Sequence, residues 1–272
     1  FDLIIINRPL IPEKKINFID KLLLNLHSKV IFDFDDAIYL TGYEDKVSSI
    51  IKSSAFVIAG NKFLAEFALN YNKNVKIIQS VIDTNKYKSN KNKIERKIIR
   101  IGWSGFRDGL DAMVDFVNPI LEELKEFIDF ELIIITNERD KKLSLNYNYK
   151  IFTWSEESEI ELLNKIDIGI MPLRDTNFNR GKCGFKLILY GALGICSIAS
   201  PVGVNSKIIR NYESGFLPNN NKEWVKYLLK LSKDSDLRKN MGENARMKIQ
   251  KDYSIDTVLP ELIEIYEKVN NG

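Results

Sequence analysis

The chain has 272 residues, 44% hydrophobic and 28% charged, with 40 Lys and Arg against 37 Asp and Glu. That balance suits a globular chain of one large or two ordinary domains, and a net charge of +3 is too weak to make nucleic acid an expected partner. Two cysteines, Cys183 and Cys196, fit neither a zinc site nor a redox pair, and the single histidine, His27, excludes mechanisms that need a histidine cluster.

The longest apolar runs, such as 3–6 and 132–135, are far too short to cross a bilayer. A cytoplasmic protein is expected, with a peripheral contact at the inner face of a membrane left open. Short β-rich runs alternate with amphipathic segments, the pattern of parallel α/β architecture. A first series places strands near 3–7, 30–34, 56–59 and 76–78, with helices near 14–26, 45–52 and 62–70. Residues 83–97, DTNKYKSNKNKIERK, are polar and basic, as an exposed connection between domains would be. Contact of that stretch with lipid or an acceptor phosphate is the other reading.

A second series opens with a strand at 98–103, then a helix at 108–127, strands at 130–135 and 150–152, a helix at 157–165 and a strand at 167–171. An apolar helix follows from Gly184 to Gly194, and helical segments at 222–231, 235–251 and 255–269 close the chain. With Phe1 and Asp2 directly before a strand and no initiator methionine, the chain reads as a fragment or as trimmed at its start.

Ligands of parallel α/β sheets bind at the carboxyl ends of strands, so the loops after Trp103, Phe152 and Met171 are expected to converge. In GWSGFRDG, Gly102 and Gly105 allow close backbone approach and Ser104 offers a hydroxyl; an ordinary strand-to-helix turn is the alternative. In FTWS, following Phe152, Trp154 either holds a flat ring or packs under the next helix. The third loop carries Arg174, Arg180 and Lys182 ahead of a helix opened by Gly184, Phe185 and Lys186. Cations beside such a helix start make a site for a diphosphate.

The succession IGWSG, IFTWSEESEIELLNKIDIGIMPL, RGKCGFKLILYGALG, ASPVGVN, SGFLPNN, EWVKYLLKL, LRKNMGENAR and DYS resembles the retaining family 4 glycosyltransferases, glycosyl transferases group 1. FDLIIINRP, VIFDFDDAIY, VIAGNKFLAEFA and VKIIQSVIDTNKY resemble the end of that family's acceptor domain. The resemblance implies the α/β GT-B fold, two Rossmann-like domains with parallel sheets facing across a cleft, the first incomplete. Residues 1–90 would be the remnant of the acceptor-side domain, 91–253 the donor-binding domain, and 254–272 a helix crossing back to the first.

The resemblance further implies transfer of a sugar from a nucleotide-sugar donor to a glycan or lipid-linked acceptor, with retention and with neither metal nor cofactor. Arg180 and Lys182 match the positions of the cations that neutralise the leaving diphosphate, and Gly184–Phe185 match the helix start that caps it. Gly102, Ser104, Gly105, Phe152, Trp154 and Lys186 complete the expected donor side. The family usually carries two acids eight positions apart, the second contacting the donor ribose, and here Gly181 and Leu189 stand at those positions. Either Glu213 or a backbone carbonyl holds the ribose, or donor binding is weak, or the site is a noncatalytic binding module. A nucleotide-sugar epimerase of the same fold is disfavoured by the single histidine.

Asp33-Phe34-Asp35 has the form of the DxD motif with which GT-A glycosyltransferases hold a divalent cation, but it lies far in sequence from the loops above. Asp35 and Asp36 are therefore assigned to the acceptor side, or to capping the segment that follows. Arg8 is either a third acceptor-side contact or an ion pair with one of these aspartates. His27 is read as structural.

Overall fold

The computed structural model describes residues 2–7, 27–89, 97–138 and 141–271, together with Lys14, Phe18, Asp20, Leu22 and Leu24. Arg8 and residues 90–96 lie outside the described residues. The chain divides into two compact units: Phe1–Val81, Asp175–Cys183 and Ile255–Gly272 form unit 1, and Ile82–Arg174 and Gly184–Ser254 form unit 2.

In unit 1, strands β1 (Ile4–Ile6), β2 (Val30–Phe34), β3 (Phe56–Ala59) and β4 (Val75–Ile77) pair in parallel and in chain order. β3 is buried along its whole length, as a parallel strand covered on both faces must be. One face of the sheet packs Phe32, Phe34 and Val57 against Val47 and Ile50 of helix α1 (Glu44–Ser53) and Leu64 and Ala68 of α2 (Lys62–Leu69). The other packs Ile31, Phe56 and Ile58 against Ile265 and Val269 of the last helix, Ile255–Asn271. Of the helix expected at 14–26, Phe18, Asp20, Leu22 and Leu24 are helical and most of the rest falls outside the described residues. Lys46, on the buried side of α1, meets Asp20 at 2.7 Å with no exposure of the lysine side chain.

Among the described residues of unit 2, six parallel strands lie in the order β10-β9-β8-β5-β6-β7. In chain order they are β5 (Ile99–Ser104), β6 (Phe130–Thr136), β7 (Tyr149–Thr153), β8 (Ile168–Met171), β9 (Ser197–Ala199) and β10 (Gly215–Phe216). Helices α3 (Arg107–Leu124), α4 (Glu159–Leu163), α5 (Phe185–Ala192), α6 (Asn221–Lys233) and α7 (Ser235–Asp252) cover them. Trp103, Leu132 and Ile134 meet α3 and α6 on one face, and Ile133, Ile135 and Met171 meet α4, α5 and α7 on the other. The fold class is the one expected, two α/β units with parallel sheets.

Two expectations change. The helix expected at 108–127 ends at Leu124, and the chain turns through 125–127, leaving Phe127 exposed. The segment expected to be a solvated connection from 83 is, over its described part, docked on unit 2. The Ile82 N–H donates to the Tyr253 carbonyl at 2.9 Å, and Arg246 donates to the carbonyls of Tyr87 at 2.8 Å, Thr84 at 3.3 Å, and Ala192. Tyr87 also packs against the unit 2 core, and much of the rest of the docking runs through backbone carbonyls, which composition does not record.

Candidate functional site

The chain enters unit 2 at β5, adds β6 and β7 on one side, and then crosses to build β8, β9 and β10 on the other. Strand order therefore reverses between β5 and β8. At such a switch point the loops leave in opposite directions and open a crevice at the carboxyl ends of the strands. The loop after β5 is Gly105–Phe106, and α5 is the first helix of unit 2 after β8.

These two pieces touch. A β-carbon on Gly105 would lie 2.4 Å from Trp103 Cζ2 and 3.0 Å from Lys186 Cε, so only glycine leaves the loop its path. The Lys186 ammonium stands 5.3 Å from the centre of the Trp103 ring. Gly184, with φ +72°, turns the chain into α5, and a β-carbon there would lie 2.4 Å from Ile208 Cδ1. The N-cap of α5 is Gly184, which has no side chain to cap it, and the first turn brings helix-start N–H groups and a positive dipole end beside the Lys186 cation. Ser104 is buried, and its N–H donates to the Tyr190 hydroxyl at 3.0 Å, joining the end of β5 to α5. Burial pushes the Tyr190 phenol well above its ordinary range, which keeps it neutral.

The loop after β7 closes the other flank. The Trp154 N–H donates to the Thr136 carbonyl at 2.8 Å, its indole Nε1–H donates to Glu159 Oε1 at 2.7 Å, and its ring meets Phe106 edge-on at 6.0 Å. Phe106 is 63% exposed, an aromatic face on the rim of the crevice. Phe152 is half-buried, with the Lys165 ammonium 5.9 Å from its ring centre. Unit 2 thus brings together Ser104, Gly105, Trp154, Gly184, Phe185 and Lys186. Gly102 needs a correction: a β-carbon on it would lie 2.2 Å from Ile166 Cγ1, so its bareness admits a core side chain and not a ligand. Phe106 and Glu159, the residues that meet the Trp154 ring, were not singled out from the sequence; nothing sets Glu159 apart among the acids of EESEIE, although the bulky residue after Gly105 was a signal.

Arg180 and Lys182 belong to the Asp175–Cys183 segment of unit 1. Thr176 caps a helical turn, Asn177–Arg180, and Arg180 forms a two-pronged bond to Asp175 at 2.6 and 2.9 Å, holding that carboxyl below its ordinary range. The Lys182 ammonium lies 4.9 Å from the Phe178 ring centre. A β-carbon on Gly181 would sit 2.5 Å from the Ala37 Cβ, and Leu189 is 4% exposed within the apolar core of unit 2. Neither position accepts a carboxylate as built. Glu213 is exposed, 3.8 Å from Arg210.

Asp33 and Asp35, at the carboxyl end of β2, line a cavity of about 380 Å³ in unit 1 with Asn7, Gln79 and Ser80, opposite Val258, Leu259 and Leu262. Burial and then the Asp35 charge push the Asp33 carboxyl up to about 6. The residue that opens the turn at Ile38–Thr41 is Ala37, and the Ile38 N–H donates to the Asp36 backbone carbonyl at 2.9 Å. Among the described residues no group of three His, Cys, Asp or Glu side chains is placed to hold a metal ion, and no helix is long and apolar enough to cross a membrane.

The family model for glycosyl transferases group 1 matches residues 81–248. The uncharacterized glycosyltransferase MJ1069 of Methanocaldococcus jannaschii is 28% identical over 258 residues, 84% of this chain and 62% of that protein. The chain therefore spans less than two thirds of that relative. Among solved structures, sucrose-phosphate synthase from Thermosynechococcus elongatus is similar with a TM-score of 0.72 at 11% identity, covering 92% of this chain and 70% of that one. Alr3699/HepE of Anabaena, in complex with UDP-glucose, is similar with a TM-score of 0.69 at 12% identity, covering 88% and 72%. At such identities the likeness establishes the fold, GT-B, and nothing finer.

Proposed function

The chain belongs to the glycosyl transferases group 1 family, and from that premise we propose that it moves a sugar from a nucleoside diphosphate sugar to a glycan or lipid-linked acceptor, with retention and without a metal. The observation that carries the reading is the meeting of Gly105 with Lys186 at the start of α5, at the switch point of the unit 2 sheet. Departure of a nucleoside diphosphate builds negative charge. A cation and a helix start, already in place, stabilise that charge without reorganising, and each such donor contributes about 3 kcal/mol in enzymes where it has been removed. The exposed ring of Phe106 and the edge-on Trp154 supply a flat apolar surface for the nucleobase. The UDP-glucose bound by Alr3699/HepE is a ligand of the same kind in a similar fold.

Arg180 and Lys182 are proposed as the cations that meet the leaving diphosphate, Arg180 exchanging its Asp175 partner for phosphate. Asp35 and Asp36 are proposed for the acceptor. No protein nucleophile is assigned, because in a retaining transfer of this type the leaving phosphate takes the acceptor proton. A second reading, a nucleotide-sugar binding protein without turnover, is favoured by one observation: Gly181 and Leu189 are packed so that neither can be replaced by the usual acid. Donor hydrolysis and transfer across a panel of nucleotide sugars, with and without chelator, separate the two. Turnover that survives chelation is expected; binding without turnover supports the second reading, and loss of turnover with chelator overturns the metal-free one. Arg180→Ala and Lys182→Ala are expected to weaken donor binding, and unchanged binding would remove both from the site.

A further inference from the structure

We infer that Glu159 and Tyr87 are positioning residues for the nucleoside half of the donor, acting through Trp154 and drawing the segment 83–89 into the response to nucleotide; this rests on the donor reading above. Glu159 is 8% exposed, and its two carboxylate oxygens take different donors. Oε1 accepts the Trp154 indole N–H at 2.7 Å, and Oε2 accepts the Tyr87 hydroxyl. The indole is therefore held at its polar edge by Glu159, at its backbone by Thr136, and against its ring by Phe106. A ring fixed on three sides presents one orientation to a base, so less rotamer freedom is lost on binding.

Tyr87 ties this arrangement to a different stretch of chain. It lies in the segment after Ile82 whose carbonyls Arg246 gathers, and Arg246 also reaches the Ala192 carbonyl at the end of α5. Burial, then the bond to Glu159, push the Tyr87 phenol far above its ordinary range, so it stays a donor at any working pH. One carboxylate thus couples the aromatic rim to a strap that runs to the end of the helix whose start carries Lys186.

The test titrates this chain calorimetrically with UDP, GDP, ADP and CDP and keeps the tightest as the probe. Glu159→Ala, which leaves both donors unpaired, is expected to raise the Kd about tenfold, and Tyr87→Phe about threefold. Glu159→Gln keeps an acceptor for the indole and an amide that the Tyr87 oxygen can accept, so its Kd is expected within about twofold of the parent. Amide hydrogen exchange at 83–89 is expected to slow on adding the probe to the parent chain, and not in Tyr87→Phe, a readout that a purely structural role would not move. Parent-like binding by Glu159→Ala, failure of Glu159→Gln to rescue, or exchange at 83–89 indifferent to nucleotide overturns the inference while leaving the donor reading intact. Binding of none of the four nucleotides by the parent overturns both. Should Glu159→Ala not fold, Tyr87→Phe decides by the same two measurements.

Discussion

At Gly184 two independent constraints coincide, a positive φ and a β-carbon position 2.4 Å from Ile208 Cδ1, so backbone strain and overpacking add. Gly184→Ala is expected to lower the stability of unit 2 by about 2–4 kcal/mol, seen as a fall in the denaturant midpoint. Lys186→Ala leaves the backbone alone and removes the cation together with the stem that lies against the Gly105 loop; a Kd for nucleoside diphosphate raised about tenfold is the expected result, measured by calorimetric titration. Asp33 makes a prediction with a definite sign. Its carboxyl titrates near 6 in the folded chain against 3.8 for the unconstrained side chain, so the native state holds this proton more tightly than the unfolded state. Stability from that proton is complete below about pH 4 and is lost as pH rises through about 6. Asp33→Asn should therefore stabilise unit 1 at pH 8 by about 1–2 kcal/mol, discounted for partial exposure, and by nothing near pH 3.5. A gain at pH 3.5 equal to that at pH 8 would contradict it.

Among the elements, the strands and long helices were legible because runs such as VIFDF and FVIA are short and rich in β-branched and aromatic residues, while α6 keeps a helical spacing over thirteen residues. The Lys46–Asp20 pair was not legible, since nothing in α1 marks a lysine for burial until the chain before β2 is seen to supply its partner. Removing the cation from this buried pair takes away the Asp20 carboxylate's charged partner, and Lys46→Ala is expected to cost about 3 kcal/mol, read as a fall in the denaturant midpoint of unit 1. Likewise the segment after Ile82 looked like a connection because its side chains are polar, while its hold on unit 2 comes from partners distant in sequence, Arg246 reaching its backbone carbonyls and Glu159 accepting from the Tyr87 hydroxyl. The candidate site shows the same division. Glycines and cations announced loops at Gly105, Gly184 and Lys186, but the packing of Gly102 on Ile166 and the bond of Trp154 to Glu159 are relations between remote positions.

Over the whole molecule, all three tryptophans, Trp103, Trp154 and Trp224, fall in unit 2, whereas helix and strand are present in both units. Fluorescence should therefore report unit 2 alone and far-ultraviolet circular dichroism both, so the two transitions in denaturant are expected not to coincide. Lys46→Ala should shift the dichroism transition and leave the fluorescence one in place; a common shift would mean that the units unfold as one. The sequence by itself determined the α/β class, the order of the elements, the family and the loops that carry the glycines and cations. These are local matters: periodicity, turn chemistry and motif order are written within a few residues of where they act. Only the tertiary structure decided that Asp175–Cys183, with Arg180 and Lys182, belongs to unit 1, that Gly181 is wedged against Ala37, and that Leu189 is core. Those outcomes depend on which distant side chains fill the space around a position, a property of the packed chain that no window of sequence contains.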